Sequence, residues 1–337
     1  MMKHFLLTTI ILSSALLSSC QQKMKKYNWL PTECAPEFYP AQIFKGTIFY
    51  GEKSAVPIPN GRVIDYGWGK DGSVNVVGEE MKEAPTAIEL SWISYGEHKN
   101  YSGKFELDAK KLDSLFAAGY ADPELQNGHG EYHTVKVGLA PGGKVVIWLT
   151  GNRNKQVEVD AFQANETAPF DWKLQYPTMS VTMEEYGNQL LSRLPDTIQE
   201  QIKAKKIPVS HWEDIRQRYN WKVLPQTASP ATRIDIDYVN KEHNLIAGAD
   251  VTALPFSAQA LPEAISVHWP DKHTRALRTD ISFDATETKR IFQNLKPGEE
   301  AELLIVISAD AKNVKLALLI KGRQYAFGQI KQQTFLK

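Results

Sequence analysis

The sequence contains very little cysteine. Only Cys20 and Cys34 occur among its 337 residues, so a small scaffold held together by several disulfides is excluded. If Cys20 carries a lipid, Cys34 has no intramolecular partner. We therefore expect Cys34 to be a small buried residue and not a nucleophile, because free cysteine is commonly buried and inert.

An excess of charge of either sign is also missing. Lysine and arginine together number 39, as do aspartate and glutamate, and the formal net charge is +0 at pH 7. Without a strong overall field to attract phosphates, we predict no nucleic-acid partner. After the N-terminal segment, no run of residues is long and apolar enough for a membrane-spanning helix, which needs roughly 20 such residues.

The N-terminus has the three parts of a bacterial lipoprotein signal. Lys3 supplies positive charge, and the stretch from Phe5 to Leu17 is apolar and broken only by small residues. Leu17-Ser18-Ser19-Cys20 then resembles a lipobox, in which an aliphatic and two small residues precede the cysteine that receives diacylglycerol. We predict that residues 1–19 are a cleaved lipoprotein signal peptide and that Cys20 is lipidated. The alternatives are an ordinary secretory signal and an uncleaved anchor.

Residues 20–26 form a short lipidated tether with polar and basic side chains. Two or more acyl chains on Cys20 hold a protein stably at a membrane, and the lysines suit contact with anionic headgroups. Gln21 stands where an aspartate signals retention in the inner membrane, so we expect the outer membrane. The tether has no acidic run of the kind associated with surface export, which favours the periplasmic face.

A weak internal repeat organises the rest of the chain. Tyr27-Asn28-Trp29 recurs as Tyr219-Asn220-Trp221. Further along, an alternating strand is followed in both copies by an aspartate and a short amphipathic helix, at Asp108 and at Asp284. Aspartate is a favoured helix N-cap. Each copy then continues with a hairpin pattern, which the first copy turns at Pro141-Gly142-Gly143.

The predicted fold class is α+β, with two similar, mainly antiparallel β-sheet units that each carry one packed helix. We assign residues 27–170 to the first unit and residues 219–337 to the second, diverged unit. Residues 180–218 are predicted to be a helical connector that packs on one or both sheets. Its first helix is expected after Thr182, a further helix after Pro195, and a short one near Ser210.

The glycine-rich hairpin and its neighbours carry a resemblance to a known family. The matching positions are Trp29-Leu30-Pro31, Trp92, Gly142 to Gly151 and Glu158 to Phe162. They resemble a domain of unknown function from Gram-negative bacteria, found in many lipoproteins. The second copy departs from this pattern, because Leu318 replaces Trp148 and the double glycine is missing. The resemblance implies no catalytic residues. Some members are similar to proteins encoded beside type VI secretion lipase effectors, where lipoproteins act as periplasmic immunity proteins.

Two sets of residues are candidates for a site. His129 and His133 could meet one metal ion, but no third ligand has a recognisable spacing, and a polar loop leading into a strand is the alternative. Tyr66, Trp68, Tyr95 and Tyr101 could form an aromatic binding surface, as exposed tyrosine and tryptophan dominate binding hot spots. We expect Tyr66 and Trp68 to be exposed because they lie between glycines in a predicted loop, whereas core filling is the alternative for aromatics in strands.

No nucleophile elbow and no glycine-rich phosphate loop is present, so we predict no catalytic residue and no cofactor. The sequence favours a lipid-anchored, non-enzymatic binding protein on the periplasmic face of the outer membrane. Its predicted partners are the membrane, through Cys20, and a secreted protein effector, against which it would act as an immunity protein. The alternatives are an envelope structural or assembly lipoprotein and a metal-dependent hydrolase that uses His129 and His133.

The anchor prediction is tested by replacing each cysteine in turn. Cys20→Ala removes the thiol that accepts diacylglycerol, so incorporation of radiolabelled palmitate in growing cells should fall to background. Cys34→Ala is the matched control and should retain full labelling. Persistent labelling of the Cys20→Ala protein would show that the lipid is attached elsewhere.

Overall fold

The computed structural model describes residues 25–271 and 273–336. The predicted signal peptide, Cys20 and residues 20–24 of the tether lie outside the described residues. The strands within the described ranges, in chain order, are β1 (Leu30–Cys34), β2 (Ala41–Tyr50), β3 (Ser54–Pro57), β4 (Val63–Ile64), β5 (Pro85–Ser94), β6 (Lys99–Glu106), β7 (Tyr120–Ala121), β8 (His129–Gly130), β9 (Tyr132–Ala140), β10 (Lys144–Gly151), β11 (Gln156–Gln163), β12 (Asn165–Thr167), β13 (Tyr219–Gln226), β14 (Arg233–Tyr238), β15 (His243–Ala247), β16 (Ser257–Gln259), β17 (Pro262–Pro270), β18 (Ala276–Phe283), β19 (Ala301–Ile307), β20 (Val314–Ile320), β21 (Arg323–Ala326) and β22 (Ile330–Leu336).

The α-helices of the described ranges are α1 (Ala109–Ala118), α2 (Trp172–Gln175), α3 (Met183–Leu191), α4 (Asp196–Lys203), α5 (His211–Asp214) and α6 (Ala285–Phe292). The side chains of Asp108 and Asp284 accept hydrogen bonds from the first turns of α1 and α6, as predicted. Thr182 and Glu185 form a reciprocal capping box at the start of α3. Within these ranges no helix has both the length and the hydropathy needed to cross a bilayer.

The α+β prediction is confirmed, and the same order of strand pairing occurs twice. In the first unit β1 runs parallel to β9, which continues through antiparallel β10 and β11, while β2, β5 and β6 form a second sheet. In the second unit β13 runs parallel to β19, which continues through β20 and β21, while β14, β17 and β18 pair separately. Helix α1 comes directly after β6 and helix α6 directly after β18, the last strand of the second set in each unit. The domain bounds given above stay a prediction.

The two units are joined within one sheet. Nine strands of the described chain lie in the order β1-β9-β10-β11-β15-β14-β17-β18-β22, so the first sheet of unit one continues into the second set of unit two. Gln156 and His243 form the one residue pair between β11 and β15. We call this junction the seam.

Both main hydrophobic cores lie on the same face of the nine-stranded sheet. Val157 and Val159 of β11 point towards the core of unit one. Ile234 and Ile236 of β14 belong to the core of unit two. The register through the seam places Gln156, His243 and Asp237 together on the opposite face, because side chains alternate along a strand. That opposite face is therefore free of both cores.

The helical connector packs on both sheets of unit one. Its helices α3 and α4, together with the preceding α2, cover the outer face of the sheet that contains β2 and β5. Helix α5 covers part of the opposite face of the nine-stranded sheet, where the tryptophan cluster consists of Trp68, Trp148 and Trp212. The ring of Trp68 lies 5.0 Å from that of Trp148 and 5.3 Å from that of Trp212. Cys34 is fully buried beside this cluster, as predicted.

Replacement of Trp212 tests how firmly the connector is held. The side chain is 5% exposed, and truncation of a buried tryptophan to alanine typically costs about 3–5 kcal/mol. We expect Trp212→Ala to lose that much free energy of unfolding in a urea titration and to speed trypsin cleavage after Arg216.

Trp172→Ala is the matched control, because Trp172 is 8% exposed but packs on the other sheet. It should be destabilised without faster cleavage after Arg216. Equal cleavage in both variants would contradict a local role for Trp212.

Candidate functional site

The predicted aromatic surface does not form. Trp68, Tyr95 and Tyr101 are 8%, 1% and 4% exposed, so the expectation that they are available to a partner is wrong. Tyr66 is 40% exposed and is the one member of this set that faces solvent. Core filling, which was the alternative, describes the other three.

Each of the buried aromatics has a specific partner. Trp68 is drawn into the tryptophan cluster because its loop folds over β1, where Gly69 donates its N–H to the Cys34 sulfur at 3.3 Å. Tyr95 donates to Oε1 of Gln42 at 2.6 Å. Tyr101 donates to Oε1 of Glu97 at 3.0 Å. The flanking glycines of Trp68 thus reflect close packing on the sheet and not an exposed turn.

The two predicted metal ligands lie on one surface depression but are not joined by further ligands. His129 belongs to β8 and His133 to β9, and both line a depression that also includes Glu131. The His133 ring nitrogens lie 3.0 Å from Thr134 Oγ1 and 3.2 Å from Asn152 Oδ1. Within residues 25–271 and 273–336, no three side chains of histidine, cysteine, aspartate or glutamate are grouped to hold an ion.

A large cleft lies at the seam, on the face of the nine-stranded sheet that carries neither main core. Its volume is about 940 Å³. The strand register aligns one row of side chains across β10, β11, β15, β14, β17 and β18: Thr150, Gln156, His243, Asp237, Ala264 and Ser282. All six residues line this opening, which we call the seam cleft. Both units therefore contribute to its floor.

Lys136 is the central buried charge of the seam cleft. It is 2% exposed, and its ammonium donates to the carbonyl of Gly69 and to Oε1 of Gln156, both at 2.5 Å. The same group lies 2.8 Å from a carboxylate oxygen of Asp71. Three acceptors match the three protons of the ammonium, which accounts for a lysine in this place. Gln156 in turn donates to the carbonyl of Lys241 at 2.6 Å, which links unit one to unit two.

A glycine at position 69 is required by the close approach of the two units. Gly69 has φ +74°, and a Cβ atom there would lie 2.4 Å from Cβ of Lys241. Any side chain would displace the loop that carries the carbonyl bound by Lys136. The geometry of the seam cleft therefore depends on this residue.

Beside the seam cleft, two connector arginines neutralise two buried glutamates. Arg216 Nε lies 2.8 Å from Glu158 Oε1, and Arg218 Nη2 lies 2.8 Å from Glu242 Oε2. Glu242 Oε1 also accepts the N–H of Glu158 at 3.0 Å. Burial raises the pKa of Glu158 above its ordinary value, although Arg216 opposes this effect. The connector thus contributes to the junction through charge as well as packing.

A histidine–aspartate pair lies further along the same sheet face. His268 Nε2 is 3.0 Å from Asp235 Oδ2. Burial acts to raise the pKa of Asp235, but hydrogen bonds from His268 and Arg233 outweigh it, and the pKa is lowered overall. The nearby hydroxyl of Ser266 donates to Asp280 at 2.7 Å, away from the histidine. This is a hydrogen-bonded polar face and lacks the serine-to-histidine contact of a nucleophilic pair.

Sequence analysis missed the seam cleft, although two local signals were present. Lys136 is a charged residue in the apolar part of strand β9, between Val135 and Val137. The segment Arg233-Ile234-Asp235-Ile236-Asp237 alternates charge with isoleucine, which predicts one buried and one polar sheet face. The two segments come together only because β11 and β15 pair, and nothing local to either segment predicts that pairing.

Comparison with known proteins gives one match. A family model described as Protein of unknown function (DUF2931) matches residues 18–210. This range spans the described part of unit one and most of the connector, whereas β13 and all later strands lie beyond it. No curated protein and no solved structure matches the chain.

The electrostatic role of Arg216 is tested by removing its charge alone and together with that of Glu158. Arg216→Met leaves a buried carboxylate without its partner, and breaking such a pair typically costs about 3–5 kcal/mol. Because the Arg216 side chain is 22% exposed, we expect the lower end of this range in urea unfolding.

Glu158→Gln combined with Arg216→Met should be more stable than Arg216→Met alone. Burial raises the pKa of the Glu158 carboxyl in the folded protein, so its contribution to the free energy of unfolding is lost as the pH rises through that pKa. The deficit of Arg216→Met should therefore shrink from pH 7 towards pH 5. A deficit that is independent of pH and of residue 158 would contradict the charge argument.

Proposed function

The chain belongs to the DUF2931 family of proteins of unknown function, and on that premise we propose that it is a lipid-anchored, non-enzymatic binding protein of the periplasm. In this proposal Cys20 holds it to the outer membrane, and the partner is a secreted protein effector that it masks as an immunity protein. The observation that carries the proposal is the uncovered polar face at the seam.

The size and chemistry of the seam cleft support binding. Its volume of about 940 Å³ falls within the roughly 300–1,000 Å³ of ordinary ligand sites. Its rim carries both signs of charge, with Arg153 and Lys241 beside Asp237 and Glu263. Mixed charges of this kind favour a partner with a complementary pattern and contribute specificity and association rate more than affinity.

The sheet face next to the seam cleft supports a protein partner over a small molecule. Two further rows of polar side chains extend from it towards β22: Arg233, His268 and Arg278, and then Asp235, Ser266 and Asp280. Most of these groups are already fixed by mutual hydrogen bonds, such as that between Ser266 and Asp280. A rigid polar surface of this extent loses little side-chain freedom when a folded protein docks on it.

Charge reversal in the seam cleft tests the proposal. Asp237 lines the cleft, and its side chain is 58% exposed, so Asp237→Lys changes the binding face without burying a charge. We expect the wild-type protein to co-purify with one secreted effector from envelope extract and to protect cells against a neighbour that delivers it. Asp237→Lys should weaken capture at least about tenfold, as for lost interface charges, and should reduce protection.

Glu52→Lys is the matched control, because Glu52 is exposed in the turn after β2 and undergoes the same change of charge. It should bind and protect like the wild type. Equal loss in both variants would show that net charge matters and the seam cleft does not. If deletion of the gene raises outer-membrane permeability with no effector present, the envelope-assembly alternative replaces this proposal.

A further inference from the structure

We propose that a second site, formed between unit one and the connector, binds a free fatty acid. The site is a groove of about 820 Å³ between the single helical turn Tyr95–Glu97 and the helices α3 and α4. We call it the connector groove. It shares no lining residue with the seam cleft, so the proposal is independent of the effector-binding role.

The floor of the connector groove is apolar. Leu191 and Ile202 are buried at 8% and 9% exposure, and Ile207 is half-buried. Gly96 presents only backbone to these side chains, and a Cβ atom there would lie at van der Waals distance from two of them, 3.5 Å from Ile207 Cδ1 and 3.6 Å from Ile202 Cδ1. Val209 forms one wall and is 46% exposed, which is high for a large aliphatic residue. An apolar ligand would cover this surface.

The mouth of the connector groove is positively charged. Lys203 and Lys205 line it, and neither forms an ion pair with any residue in the described ranges. Lys99 also lines it but pairs with Glu166 at 2.7 Å. Glu97 also lines the groove, and its carboxylate accepts the N–H of Gly142 at 3.0 Å, so three lysines face one carboxylate and the lining has a net positive charge. Two unpaired ammonium groups beside an apolar trough complement an acyl chain that ends in a carboxylate.

A peptide is less well suited to the connector groove than an acyl chain. Helices α3 and α4 satisfy their own backbone groups, and β6, which begins at the groove, is paired on one side by β5 and on the other by β12. An extended peptide would find no free strand edge there, and its own N–H and C=O groups would be buried without partners. An acyl chain has no such groups to satisfy.

Calorimetric titration with three probes of equal chain length tests the proposal. The protein is the mature chain without Cys20, so that no detergent competes for the groove. The probes are laurate and dodecyltrimethylammonium, each below its micelle concentration, and dodecanol below its solubility limit. We expect saturable binding of laurate with one site and at least about tenfold weaker binding of dodecanol, since only laurate can use the lysines. The cationic probe should bind no better than dodecanol.

Variants then assign the site. Lys203→Ala combined with Lys205→Ala should weaken laurate binding about tenfold and leave dodecanol unchanged. Lys206→Ala is the matched control, because Lys206 is exposed next to these residues but does not line the groove. Gly96→Leu should block binding of all three probes. If Gly96→Leu fails to fold, Val209→Glu at an exposed wall position replaces it in the test and should weaken laurate binding selectively.

Three outcomes would overturn the proposal. These are a failure of laurate to saturate a single site, equal binding of the neutral and anionic probes, and a loss of binding in Lys206→Ala as large as in the double variant. Each would remove the charge-assisted acyl site without affecting the seam cleft.

Discussion

The pairing of two sheet edges holds this molecule together. An edge strand exposes a row of N–H and C=O groups that must find partners. Strands β11 and β15 are the edges of different units, and they meet at a single residue pair, Gln156 with His243. Beyond that pair the backbones diverge, and side chains replace the missing ladder. Gln156 donates to the carbonyl of Lys241, and Glu242 accepts the N–H of Glu158.

This substitution of side chains for backbone explains why polar and charged groups are concentrated at the seam. A carboxylate that accepts a buried N–H must itself be neutralised, and the connector supplies Arg218 for Glu242 and Arg216 for Glu158. The charge of Lys136 is neutralised by Asp71, and Gln156 accepts one of its hydrogen bonds. The residues that join the units thereby also shape the walls of the seam cleft. Structural and binding roles overlap there, which is why the binding test uses the exposed Asp237.

The connector has a comparable double role. Its helices α3 and α4 cover the outer face of one sheet, and its helix α5 closes the tryptophan cluster on the other sheet through Trp212. Because it passes from one face of unit one to the other, it leaves a trough where its helices meet the turn at Gly96. The connector groove is thus a consequence of how the connector wraps the unit, and its lysines come from the chain segment that makes this passage.

Local features were predictable from the sequence because they depend on neighbouring residues. The aspartate caps at Asp108 and Asp284, the capping box at Thr182 and the alternating strands follow from hydrogen bonds and periodicity within a few residues. The α+β class and the paired order of strands followed from these elements. The burial of Cys34 followed from the general behaviour of free cysteine.

Only the tertiary structure decided which edges meet and which side chains remain exposed. The aromatics Trp68 and Tyr95 have sequence surroundings typical of loops and strand ends, yet each contacts a partner far away in the chain, Trp148 and Gln42 respectively. Likewise Lys136 and Asp237 lie about 100 residues apart in sequence and line one cleft. Long-range pairing is set by the packing of whole units, and no local pattern encodes it. The sequence by itself therefore determined the elements, and the assembly of the two units determined the sites.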